Sequence, residues 1–117
     1  MKNYMAVFVG TPARRIEWDN LDADTRKQRE RDGMQAWGQW MIDHQADIVD
    51  SGGPLGKTKR AGPDGISDMS NNIAGFVKVR AESHDAAVRL FENHPHFSIF
   101  PGDAVEVMEV MPIPTKG

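Results

Sequence analysis

The stretch Asn71–Pro114, NNIAGFVKVRAESHDAAVRLFENHPHFSIFPGDAVEVMEVMPIP, limits the fold more than any other part of the chain. It reads as strand, helix, strand. From Asn72 to Arg80 the side chains alternate in period two. Ile73, Val77 and Val79 fall on one face, and Ala74, Phe76, Lys78 and Arg80 on the other, the pattern of a strand rich in β-branched residues. Ser83 is placed to cap a helix, because its hydroxyl can accept a bond from a free N–H of the first turn. Asp85 adds negative charge at the positive end of the helix dipole. Ala87, Leu90, Phe91 and His94 then follow the i, i+3, i+4, i+7 spacing of an amphipathic helix. Pro95 lacks an N–H and restricts its predecessor, so the helix should stop near His94. Pro101-Gly102 marks a turn, and Ala104–Met111 is again strand-like.

The first half supplies a matching unit. Tyr4–Val9, YMAVFV, is a strand candidate that is apolar on both faces, and Gly10-Thr11-Pro12 ends it. Residues 13 to about 22 read as polar and irregular, anchored by Trp18. A helical pattern builds from about Asp24 and runs to about Asp50. Gly33 is its weak point, costing roughly 1 kcal/mol against alanine. Its apolar stripe is Met34, Trp37, Met41, His44 and Ile48, widened by Trp40 and Val49. Ser51-Gly52-Gly53-Pro54 reads as a helix stop. Leu55–Arg60 reads as a short edge strand with alternating lysines, and Gly62–Asn72 as a turn-rich connection. The expected class is α+β. One domain over residues 1–117 has the ferredoxin-like order β-α-β-β-α-β, with residues 10–33 an irregular or helical insertion.

Composition excludes several functions. With 14 basic against 17 acidic residues the chain carries a net charge of −3. Its densest basic run, Arg26–Arg31, is interleaved with Glu30 and flanked by Asp24 and Asp32. That is a solvated helix face and not a nucleic-acid footprint. There is no cysteine, so disulfides and thiolate chemistry are excluded and a cytoplasmic setting is expected. No apolar run nears the roughly 18 residues needed to cross a bilayer, and no membrane partner is expected.

The strands raise a difficulty that is itself informative. Helices cover one face of a ferredoxin-like sheet, so the other should be polar where it meets water. Here Tyr4, Ala6 and Phe8 oppose Met5, Val7 and Val9, and Val105, Val107 and Met111 oppose Ala104, Met108 and Val110. Apolar patches of that kind mark interfaces. The expected partner is a second copy of the chain, and the competing reading folds residues 10–33 or the C-terminal tail across the sheet.

The strand order, the glycine-rich DSGGPLG turn, the NNIAGFVKV strand, the helix SHDAAVRLFENHP and the final VEVMEVMPI strand together resemble the YCII-related proteins, which include the DGPF-type domains. The resemblance covers Met1 to about Pro114 and implies a dimeric α+β barrel, two ferredoxin-like units with their sheets face to face. It also implies a small-molecule cleft between helix and sheet, faced by a histidine and an aspartate. The histidine corresponds to His44, offset by about one helical turn. The aspartate's place is taken by His94 in His94-Pro95, and SDMSNN stands where the DGPF signature would be.

His44 and His94 are therefore the candidate catalytic residues. His44 suits either a general acid or base, since imidazole titrates near neutrality, or a core histidine bonded to a carbonyl or carboxylate. His94, His96, Phe97 and Phe100 crowd one corner, which reads as a pocket mouth or as a packed barrel end. Trp37 and Trp40 offer surfaces for stacking a ligand or filling the core. Lys57 is a candidate counter-charge for an anionic ligand or a solvated edge lysine. A His-x-His pair without a third ligand at recognisable spacing makes no metal site, and no cofactor is expected. Gly56-Lys57-Thr58 is not a P-loop, because the segment leaves a helix for a strand and lacks the first glycine. The functional expectation is a small organic ligand in the cleft, with histidine acid–base chemistry; the alternative is a non-catalytic dimeric sensor or protein-interaction module of the same fold.

Overall fold

The computed structural model describes residues 1–114; the last three residues of the expected 1–117 domain lie outside the described residues. Four strands form an antiparallel sheet: β1 (Lys2–Gly10), β2 (Ile48–Pro54), β5 (Ile73–Ala81) and β6 (Gly102–Glu109), in the order β2-β5-β1-β6. β1 and β5 alternate as the sequence does. Tyr4, Ala6 and Phe8 of β1 face Val79, Val77 and Gly75 of β5, and all but Gly75 belong to the hydrophobic core. On this side lie α2 (Ala23–Asp43) and α3 (His84–Arg89), which add Trp40, Ala87 and the nearby Phe91 to the core. Trp40 Nε1–H donates to Leu90 O at 2.8 Å, tying α2 to the chain beyond α3. Burying each large side chain of this layer contributes about 1.5–3 kcal/mol.

The expected helix over residues 24–50 is shorter, and the strand after it lies earlier. α2 ends at Asp43 with His44 as its C-cap. A turn closes through Asp47 N–H to His44 O at 2.8 Å, and Ile48 and Val49 then enter β2. The glycines read as a helix stop instead sit inside that strand. Its register with β5 shifts between Asp50 and Gly53, because Ser51-Gly52 form a bulge. Gly52 has φ of +59°, and a Cβ there would fall 2.0 Å from Phe76 O. Only glycine meets both demands.

Leu55–Arg60 is accordingly not a strand of the main sheet. Thr58–Gly62 (β3) pairs with Gly65–Met69 (β4) as a separate hairpin, and the expected turn-rich connection at 62–72 supplies its turn and return strand. Residues 13–22 are not irregular either. Pro12–Asp19 forms α1, with Thr11 as N-cap and Pro12 in the first turn, a sequence start signal that the polar composition masks. The helix expected to stop near His94 ends as α-helix at Arg89. It continues as i to i+3 turns to Asn93, whose φ is +55°. Pro95–Ser98 then makes a single turn, α4.

α1 packs on the corner between α4 and β6. Arg14 donates from Nε to Gly102 O at 3.2 Å and from Nη2 to Phe97 O at 3.1 Å, and buried Trp18 lies 6.1 Å from Phe100, ring centre to ring centre. Residues 10–33 thus build up the helix side of the sheet and do not cross its other face. That face carries Met5, Val7, Val9, Phe76, Ala104 and Met108, with Lys78, Arg80 and Glu106 around them.

Candidate functional site

The HPH sequence makes the first part of the site. Pro95 starts α4, and His94 caps it by accepting the His96 backbone N–H on Nδ1 at 3.0 Å. That bond fixes the tautomer, since an accepting Nδ1 leaves the proton on Nε2. Nε2 is buried and has no hydrogen-bond partner among the described residues. The ring sits in a box of π systems: Trp37 at 4.5 Å and 89°, Trp40 at 4.8 Å, Phe8 at 5.1 Å and Phe91 at 5.8 Å. Such walls offer only weak N–H···π compensation. Burial drives the His94 pKa down to about 3, with the neighbouring His96 and His44 adding to the shift, so the ring is neutral.

His96 points the other way. Its ring lies over Gly102, where a Cβ would fall 2.3 Å from Cε1 and Nε2, and Nε2–H donates to Val9 O at 2.8 Å. Burial lowers its pKa, and the carbonyls of Val9 and Ala104 with the Asp103 carboxylate oppose that shift without cancelling it. The Pro101-Gly102 turn signal therefore has a second cause, the space that the imidazole needs.

An open cavity of about 770 Å³ lies between α2 and the sheet, within the range of small-molecule sites. α2 supplies Met34, Trp37, Trp40 and Met41, the sheet supplies Phe8, Gly75 and Val77, and the far corner supplies His96 and Phe100. Thr11, Arg15, Ser51, Asn71 and Asn72 complete the lining. Phe8 and Trp37 meet at 4.9 Å, Trp37 and Phe100 at 6.1 Å.

Of the residues singled out in the sequence, Trp37, Trp40, His96 and Phe100 share this wall. The others are placed elsewhere. His94 lies behind the two tryptophans and does not reach the cavity. His44, at the end of α2, packs its ring 4.8 Å from Trp40 and is off the wall. Phe97 is half-buried and offers its carbonyl to Arg14. Lys57 sits at the root of the hairpin, by a separate depression that includes Lys59 and Asp68. Sequence reasoning did not single out Phe8, Phe76, Met34 or Arg15 as site residues. The strand alternation holds a signal for Phe8 but not for Phe76, which pairs with Val7 on the other face of the sheet, and nothing local marks Arg15, because α1 itself was not visible. Among the described residues no group of three His, Asp or Glu side chains is arranged to hold a metal ion, and no helix is long and apolar enough to cross a membrane.

No protein-family model matches the chain, and no curated protein does. Among solved structures it is similar to 5-chloro-2-hydroxyhydroquinone dehydrochlorinase from Burkholderia phenoliruptrix AC1100, in complex with 2,5-dihydroxybenzoquinone. The TM-score is 0.51 at 20% identity, with 93% of each chain covered. The likeness is one of fold. It places this chain among mixed α+β proteins with an antiparallel sheet and helices packed against it.

Proposed function

We propose that this protein binds a small, ring-sized organic molecule between α2 and the sheet. The reading is carried by one observation, an open cavity of about 770 Å³ with aromatic side chains on several walls. Concave, mostly apolar clefts of this size with a few polar groups are the usual form of small-molecule sites. A planar ring can lie against Trp37 while Phe8 and Phe100 bound it, and the lining polar groups orient it. A quinone-sized ligand on a dehydrochlorinase of similar fold supports the scale of the guest.

His96 is the residue proposed to carry acid–base chemistry, in place of His44 and His94. Neutral at physiological pH, it holds its Nε2–H on Val9 O and keeps the Nδ1 lone pair, so its role would be to accept a proton. A second reading, binding without turnover, is favoured by a specific observation: no carboxylate lines the cavity to orient His96 as a base. In either case the working form is proposed to be a homodimer joined through the apolar face of the sheet, in a cytoplasmic setting.

The test is a calorimetric screen of monocyclic and bicyclic aromatics against the wild type and Trp37→Ala. Binding by the wild type that weakens at least tenfold in the variant is the expected result. A chain that binds none of them, or binds them equally after Trp37 is truncated, has no such site. Conversion of a bound compound that stops in His96→Gln selects the enzyme reading, and binding with no conversion selects the other.

A further inference from the structure

We propose that the ligand of this cavity is an aromatic anion, an arene bearing a carboxylate or an acidic hydroxyl, and that Arg15 selects it. The inference rests on the small-molecule reading of the cavity and names the class of molecule it takes. The chain has an acidic excess, 17 carboxylates to 14 basic side chains, yet no Asp or Glu lines the cavity. Arg15 contributes its one formal charge. The remaining polar lining groups, Thr11, Ser51, Asn71 and Asn72, are uncharged, and His96 is neutral for the reasons given above. A lining with this inventory disfavours a cation and leaves an anion with one counter-charge.

The arginine is in a state to serve. Its Nε pairs with Asp19 at 3.4 Å, but both partners are largely exposed, 69% and 58%, and pairs of that kind hold weakly. Its two Nη groups meet no acceptor among the described residues, which leaves the edge of the guanidinium suited to a carboxylate or phenolate oxygen. Next to it, Arg14 is held at Gly102 O and Phe97 O and pairs with Glu17 at 3.8 Å, so it is committed outside the lining and Arg15 is left as the counter-charge. The nearby carboxylates, Glu17, Asp19 and Asp103, are all exposed and lie outside the lining. The competing guest is an organic cation stacked on the tryptophans, which Arg15 would repel.

Three probes with one ring system separate these cases: 2-naphthoate, 2-naphthamide and 2-naphthylmethylammonium, each titrated calorimetrically at neutral pH and low salt. The expected order is naphthoate at least tenfold tighter than the amide, with the ammonium weakest. Arg15→Gln should reduce the naphthoate preference to under threefold by weakening naphthoate more than the amide, and Arg15→Lys should restore part of it. Equal affinity for acid and amide, tighter binding of the ammonium, or a preference that survives Arg15→Gln overturns the assignment while leaving the cavity a ligand site. Binding of none of the three overturns the small-molecule reading along with it.

Discussion

At the scale of single residues, His94 links burial to pH. Its imidazole is neutral in the folded chain down to about pH 3, while an unfolded histidine protonates near its ordinary value of 6.5. Above about pH 6.5 neither state binds the proton, and His94 places no charge penalty on folding. As pH falls below that value the unfolded chain takes up a proton that the folded one refuses. Stability should then decline by up to about 1.4 kcal/mol per pH unit until the folded group also titrates. His96 is shifted in the same direction. The expected outcome is a thermal midpoint that drops steadily between pH 6.5 and 5, a range above the ordinary carboxylate values. His94→Asn keeps an acceptor for the His96 N–H and removes the titration, so it should flatten that slope whatever it does to stability at pH 7. An unchanged slope in the variant would assign the effect elsewhere. Gly33 raises a different question at this scale. A Cβ built there falls 2.5 Å from the Phe100 ring, so Gly33→Ala must displace a cavity wall. Despite alanine's better helix propensity, we expect a loss of about 1–3 kcal/mol in chemical denaturation. A stabilised variant would show that Phe100 yields freely.

At the scale of elements, the β3–β4 hairpin stands apart. Its strands pair with each other, every residue of β4 is exposed, and β3 is half-buried only at Thr58 and Gly62. A two-stranded hairpin is marginal by itself, and the paired Lys59 and Asp68 are exposed and add little. Replacing residues 57–70 by a short Gly-Ser link should therefore leave the thermal midpoint within a few degrees, provided the Leu55 N–H to Ala74 O bond that precedes it is kept. A large drop, read by calorimetric melting, would mean that the hairpin supports the body of the chain. The same element shows where the sequence was legible. Asn72–Arg80 was visible because burial on one face writes period two into the residues, and Tyr4–Val9 because a short wholly apolar run ends at Gly10-Thr11-Pro12. Ser83 was visible because a cap needs a hydroxyl at one place. β2 was not, since its glycines serve a bulge against Phe76 and glycine has the same letter in a bulge as in a stop. Nor was α1, whose only large buried side chain is Trp18. The site divided likewise. Trp37, Trp40, His96 and Phe100 stood in conspicuous clusters, whereas His44 shared their stripe but came one turn too late, where α2 has ended.

For the whole molecule, the chain is less compact than its length requires. The radius of gyration is 16.5 Å, against about 13 Å for a compact domain of this size; the hairpin and the exposed first half of α2 account for the excess. The sheet between them shows one covered face and one bare face. On the bare side Met5, Val7, Val9, Phe76, Ala104 and Met108 form an apolar surface, with Lys78 set beside Met5 and Glu106 beside Val7, and α1, the segment expected to compete for it, packs on the opposite side. Sheets stack about 10 Å apart through such faces, and a two-fold axis lets one patch serve both partners. A stable contact needs about 800 Å² from each chain, which a four-stranded face can supply. Val7 pairs with Phe76 on one side and Glu106 on the other, so it lies on a central strand of that face. Val7→Asp would bring two carboxylates into the interface, each without a partner and costing several kcal/mol. We expect sedimentation of the wild type at twice the chain mass and of Val7→Asp as monomer or aggregate. Gln39→Asp, an exposed change on α2, should leave the dimer intact. A wild-type chain that stays monomeric at high concentration, or a Val7→Asp chain that remains dimeric, would show that the bare face is not where two copies meet.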